Sequence, residues 1–229
     1  MSNPSKSRTS EPGRHYVLVT GAARRIGACI ADTLHRRGCD VFLHYNGSAE
    51  PVQTLAGQFN RQRPGSAHVL QADLGDMQQI AGMAEQLRSV TGQLDLLVNN
   101  ASRFFPTDIA TTTGTEWDQL MDSNLKGPYF LTQALLPELK QGGGSIVNLL
   151  DVHASRPMHK HAVYCMAKAG LQMMTFALAR DLGPAIRVNG VAPGAILWPE
   201  HESDAQIQQN ILDKTVMKRS GTPEDIASA

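Results

Sequence analysis

Two residues able to exchange a proton stand four apart in the stretch YCMAK: Tyr164 and Lys168. On a helix this spacing places both side chains on one face. An ammonium group beside a phenol lowers the phenol pKa, so the pair can pass a proton near neutral pH. Tyr-Lys pairs at this spacing are mostly structural, and the surroundings give this one its weight. NLLD closes an apolar run and puts Asp151 at the predicted carboxyl edge of a sheet, where open α/β sheets bind ligands. VNNAS closes another run and brings Asn99, Ala101 and Ser102 to the same edge.

A second constellation is TGAARRIGA, Thr20 to Ala28, on the join between an apolar run and an amphipathic segment. Its glycines, Gly21 and Gly27, lie where a nucleotide-binding fold turns helix-N-terminal amides toward a pyrophosphate. Arg24 and Arg25 occupy the middle of the loop, an unusual place for two long cations. The next strand ends FLHYNGSAE, with no acid at its tip and only Glu50 farther on. An NAD site usually has an Asp or Glu there to hold the ribose hydroxyls. His44, Asn46 and Ser48 as donors, with Arg24 reaching over, favour a 2′-phosphate and therefore NADPH; the bland reading of Arg24 is a solvated charge.

The bulk properties set the frame for this chemistry. The chain has 229 residues, 41% hydrophobic and 18% charged, with 21 basic and 21 acidic side chains. That length fits one α/β domain, and the balanced charge points away from nucleic acid and anionic membranes. Cys29, Cys39 and Cys165 have no metal-ligand spacing and read as reduced thiols. The first 13 residues are polar and read as a disordered tail without the apolar centre of a secretory signal. No apolar stretch is expected to span a membrane, and a cytoplasmic location is expected.

From residue 14 onward, buried-type apolar runs alternate with helix-length segments. The runs are HYVLVT, DVFLHY, AHVLQAD, LDLLVNNA, GSIVNLLD and IRVNGVAP. Helices are expected over 26–37, 50–63, 77–90, roughly 115–140 with Pro128 and Pro137 marking bends or an end, and 162–181. The pattern predicts a doubly wound α/β fold with one parallel sheet covered on both faces, a single domain over 14–229. GTPEDIASA reads as the start of another helix, with Thr222 as N-cap and Pro223 in its first turn.

TGAARRIG, NNAS, Asn124, YCMAK and VAPGAI, in this order, resemble the short-chain dehydrogenase/reductase family with its Rossmann fold. The resemblance runs from His15 to Ala229. It implies Tyr164 as proton donor, Lys168 as the residue that binds the nicotinamide ribose and tunes the tyrosine, and Asn124 as the organiser of a water. The implied cofactor set is Gly21, Arg24, Arg25, Ile26, His44, Tyr45, Asn46, Ser48, Asp73 against the adenine, Leu74, Asn99, Ala101, Ser102, Tyr164 and Lys168. Pro193, Gly194 and Ile196 would close over the nicotinamide. No metal is implied. The resemblance also implies a further helix and a final strand beyond Ala229, and a homotetramer built with them.

Two positions depart from the common pattern. Most members have a glycine where Arg25 stands and a serine where Asp151 stands. An ionised Asp would repel the oxyanion of a ketone undergoing reduction, whereas protonation of a ring nitrogen suits a Tyr-Asp pair. Both departures resemble the pteridine reductase branch, as does NNASRFFPT. That branch implies Phe104 stacked on a pterin, Arg25 bridging pyrophosphate and pterin, and Ser102, Asp151 and Tyr164 on the substrate. Trp198 would begin a loop over the pocket, or pack at a subunit interface. One of Phe104 and Phe105 is expected to pin its loop to the core. The expected activity is NADPH-dependent reduction of dihydropterins, with dihydrofolate as a further substrate. A ketone or 3-ketoacyl-thioester reductase, and an NADPH-binding regulator without catalysis, are the competing readings.

Overall fold

The computed structural model describes residues 13–197 and 205–229, so the tail expected over 1–13 lies, apart from Gly13, outside the described residues. Six strands form one parallel sheet: β1 (Tyr16–Val19), β2 (Asp40–Tyr45), β3 (Ala67–Gln71), β4 (Leu96–Asn99), β5 (Ser145–Leu149) and β6 (Arg187–Val191). Their spatial order is β3-β2-β1-β4-β5-β6. In register, Val17 of β1 lies beside Val41 of β2 on one side and Leu96 of β4 on the other. The strand order reverses between β1 and β4, which opens a crevice at their carboxyl ends.

In β1 and β2 the apolar runs lack alternation because both faces of the sheet are covered there, whereas β6 at the sheet edge is buried only at Val188. Leu18, Phe42, Leu97 and Ile146 point into one core with α3 (Met77–Val90), α5 (Gly127–Ala134), α6 (Leu136–Gln141) and the end of α7 (Ala162–Leu182). Val17, Val19, Val41, Leu43 and Val98 point into the other, with α1 (Arg25–Arg36) and α2 (Ala49–Gln62). Leu18, Phe42, Leu43 and Leu97 are fully buried, each removing apolar area worth about 2–3 kcal/mol from water.

The long helical region is subdivided. A capping box between Thr113 and Glu116 starts α4 (Gly114–Met121), a π-helical turn follows over Asp122–Lys126, then come α5 and α6. Pro128 sits in the first turn of α5 and Pro137 in that of α6, where the missing N–H costs nothing. Helix α8 (Ala205–Lys214) has no counterpart in the sequence reading; α9 (Pro223–Ser228) does, with Thr222 capping as expected.

The membrane expectation needs one correction. At 21 residues, α7 is long and apolar enough to cross a membrane by length and composition. Its buried positions, from Val163 to Thr175, are those of a core helix packed on the sheet. All three cysteines are free thiols, and no cluster of three or more metal-binding side chains occurs among the described residues.

One ion pair fastens α3 to α6. Arg88 Nε donates to Glu138 Oε1 at 2.6 Å, and Glu138 is buried. Replacing Arg88 by Met leaves that carboxylate without its cation. Arg88→Met is expected to lower unfolding free energy by about 2 kcal/mol or more in a urea titration.

Candidate active site

The crevice at the β1/β4 reversal begins with a set of bonds to Thr20. Its Oγ1 accepts the N–H groups of Asn100 and Ala101, both at 2.9 Å, and donates to Val98 O at 3.2 Å. Asn100 Nδ2 donates to the carbonyls of Thr20 and Gly21. Gly21 has φ of +65°, and a Cβ on Gly27 would lie 2.2 Å from the Gly21 oxygen. These two glycines therefore let the loop fold back on itself.

The loop delivers the start of α1 without a side-chain cap and without an acid in its first turn. Uncapped first-turn amides, with Arg24 and Arg25 beside them, suit a phosphate. Arg25 adopts φ of +53°, the left-handed region natural to glycine, at an expected cost of about 1–2 kcal/mol. Its guanidinium donates to Leu197 O at 3.4 Å.

A groove of about 410 Å³ runs from this loop across the strand ends. Gly21, Arg24, Arg25, Ile26, Tyr45, Asn46, Ser48, Asp73, Leu74, Ala101 and Ser102 line it. The glycine cradle, the uncapped helix start and these donors fit a dinucleotide. No acid stands at the tip of β2; Glu50 lies in the first turn of α2.

Three expected positions behave differently. His44 borders the groove, but its ring is buried and both nitrogens are committed, to Gly21 N–H and Ala72 O. It has no donor left for a 2′-phosphate. Asn99 turns into the sheet, where its Nδ2 donates to Asn148 Oδ1 at 2.8 Å, and the neighbouring Asn100 lines the groove. Asn124 is buried in the π-helical turn, its Nδ2 donating to the carbonyls of Leu120 and Arg103 and its Oδ1 accepting from Ser102 at 2.6 Å. It acts on the site through Ser102 rather than by presenting a free amide.

The proton-handling centre gathers Asp151, Tyr164, Lys168 and Ser102. Asp151 caps a short turn after β5 by accepting from His153 N–H. Its other oxygen accepts from the Tyr164 hydroxyl at 2.6 Å. Burial above all, and then the Asp151 carboxylate, push the phenol pKa up, while Ser102 pulls it down. The net shift is thus opposite to the lowering expected from the Tyr-Lys pair. Lys168 Nζ donates instead to Leu149 O at 2.8 Å and lies 5.8 Å from the tyrosine ring centre. Burial lowers its own pKa to about 8, with Asp151 opposing.

On the substrate side, Phe104 is 44% exposed. It stacks on His161 with centroids 4.7 Å apart and meets Tyr164 edge-on at 4.9 Å. Phe105 packs against the cluster of Leu120, Val163, Tyr164 and Cys165, and is the ring that pins the loop. Pro193, Gly194 and Ile196 follow β6 outside the groove lining, with Val152 N–H donating to Pro193 O. Trp198 lies outside the described residues. Arg103 and Ser123 also line the groove, and His161 backs Phe104; none of the three belongs to the set expected from the sequence. A cation directly after NNAS was the available signal for Arg103.

Two outcomes are expected from this geometry. Arg25→Gly relieves the left-handed strain, so its melting temperature should rise while dinucleotide affinity, read by calorimetry, falls. Lys168 carries its charge below about pH 8 and loses it above. The free-enzyme kcat/KM should therefore fall above about pH 8, and residual activity of Lys168→Arg should persist to higher pH.

Comparison with known proteins agrees with the geometry. A family model described as "Enoyl-(Acyl carrier protein) reductase" matches residues 21–229. Pteridine reductase 1 of Leishmania tarentolae is 34% identical, over 96% of this chain and 89% of the relative. A putative ketoacyl reductase 2 of the granaticin polyketide synthase from Streptomyces violaceoruber is 33% identical, over 96% and 90%. The 3-oxoacyl-[acyl-carrier-protein] reductase FabG of Staphylococcus aureus is 34% identical, over 92% and 87%. With its parallel sheet, glycine loop and Tyr-Lys helix, the chain belongs to the short-chain dehydrogenase/reductase family of NAD(P)H-using oxidoreductases.

Proposed function

We propose that this protein is an NADPH-dependent pteridine reductase, acting on a C=N bond of dihydropterins and on dihydrofolate. The observation that carries the reading is the Tyr164 hydroxyl on the Asp151 carboxylate at 2.6 Å. When bound, the nicotinamide supplies a hydride to the ring carbon of the substrate. The neighbouring nitrogen then needs a proton, which the Tyr164 hydroxyl, held on Asp151, would supply. Asp151 is bonded to the phenol oxygen, and its negative charge would favour a substrate nitrogen gaining positive character. The same charge opposes an oxyanion, which a ketone would develop.

The preference for NADPH is supported by Arg24, Asn46 and Ser48 around one groove, with no carboxylate at the end of β2. Phe104 offers a flat apolar wall beside Tyr164, suited to a planar heterocycle. Arg25 stands between the phosphate loop and the segment after β6, as its bond to Leu197 requires. Keeping an arginine in left-handed backbone supports a role for its planar donor fork. The ketoacyl reductase reading rests on relatives of equal similarity.

The two readings separate in a spectrophotometric assay of NADPH oxidation. Dihydrobiopterin, dihydromonapterin and dihydrofolate should be turned over, and a 3-ketoacyl thioester should not. Thioester turnover without pterin turnover sinks the proposal. Asp151→Ser should lower pterin kcat/KM by about a hundredfold, consistent with loss of a charged partner at the reacting atoms. Tyr164→Phe should abolish turnover while NADPH still binds.

A further inference from the structure

His44 is a buried histidine that borders the cofactor groove. Gly21 N–H donates to its Nδ1 at 3.2 Å, and its Nε2 faces Ala72 O at 3.1 Å. A backbone amide can only donate and a backbone carbonyl can only accept. The ring must therefore be neutral, with the proton on Nε2 and the lone pair on Nδ1. The His44 carbonyl also accepts Ala22 N–H at 2.9 Å, so residue 44 grips two successive residues of the phosphate loop. On its other side, Ala72 precedes Asp73 and is itself tied to Tyr45 O.

We infer that His44 is a positioning residue that holds the phosphate loop and the adenine-side loop at a fixed separation, so that pyrophosphate and adenosine of a dinucleotide fit the groove together. Among neutral side chains, the imidazole joins an acceptor and a donor across a rigid ring, and here each end meets a different strand terminus. Losing it removes the side-chain bonds to Gly21 N–H and Ala72 O and leaves the two loops held only through the backbone of β2. The inference rests on the dinucleotide-binding reading and is independent of which substrate is reduced.

The ring keeps its neutral form over a wide range. Burial lowers its pKa to about 4, against the Ala72 carbonyl and the Asp73 carboxylate, which favour the cation. Arg24 and Arg25 of the loop and Asp73 beyond β3 are charged groups lining the same groove. The unfolded chain binds the proton below about 6.5 and the folded chain does not, so stability falls as pH drops from there toward 4.

The test is NADPH titration by calorimetry on His44→Phe and His44→Asn. Phe fills the space and makes neither bond, so Kd should rise about tenfold to a hundredfold. The value of kcat at saturating NADPH should stay within about twofold of the parent. Asn, with one acceptor and one donor, should recover part of the affinity. A folded His44→Phe with unchanged Kd, or with kcat falling in step, overturns the proposal. Should that variant fail to fold, ¹⁵N NMR of the parent protein decides. The spectrum should show bare Nδ1 and protonated Nε2 from neutral pH down to about pH 5. The opposite tautomer, or titration near the ordinary histidine value, overturns it. NADPH binding without pterin turnover refutes the pteridine reading and leaves this one intact, whereas a parent that binds neither NADPH nor NADH ends both.

Discussion

Everything in the site depends on the ends of β1 and β4 being held at one fixed distance. Parallel pairing alone stops at Val19 and Val98. Beyond it, the buried Thr20 hydroxyl takes over, satisfying two amides of the β4 turn and spending its own proton on Val98. Asn100 returns two bonds to the loop. Of these groups Thr20 is fully buried, and leaving its hydroxyl without partners would be costly. The loop geometry is thus enforced by the penalty for breaking it, and the groove is shaped before any ligand arrives.

The proton-handling centre obeys the same economy of burial with a different outcome. Tyr164 and Lys168 are buried, and the half-buried Asp151 acts on both, favouring the protonated form of each. Because Lys168 is turned to a backbone carbonyl, the carboxylate is the nearer influence on the phenol. Burial above all, with this carboxylate second, keeps the tyrosine protonated, the state a proton donor needs. Ser102 connects this centre to Asn124 and, through its place on the groove wall, to the cofactor side.

Much of this was legible in the sequence. Helix α3 and strand β2 run as the pattern predicts, because apolar period and caps determine them locally. The loop, the Tyr-Lys helix and Asp151 fall where expected because strand ends define the edge. What the sequence did not carry was the direction of individual polar side chains. Asn99 and Asn100 are adjacent and chemically identical, and only the strand's alternation assigns one to the sheet and the other to the groove. His44 looks like a surface donor until its two backbone partners, 23 and 28 residues away, are in place. Helix α8 gives little signal in the sequence because its stretch AQIQQNILDK is largely polar.

The π-helical turn at Asp122–Lys126 has a consequence for how one long segment serves two masters. Before it, Leu120 packs against Val163, Tyr164 and Cys165 of α7; after it, Leu131 and Leu135 join the sheet core beside α3. A single extra residue in a helix advances its phase by about 100°. That offset is what allows the upstream half to look toward the reacting phenol and the downstream half toward the sheet without a loop between them. Asn124 sits at the phase change itself, so the helical register of the core and the placement of the Ser102 hydroxyl are set by the same inserted residue.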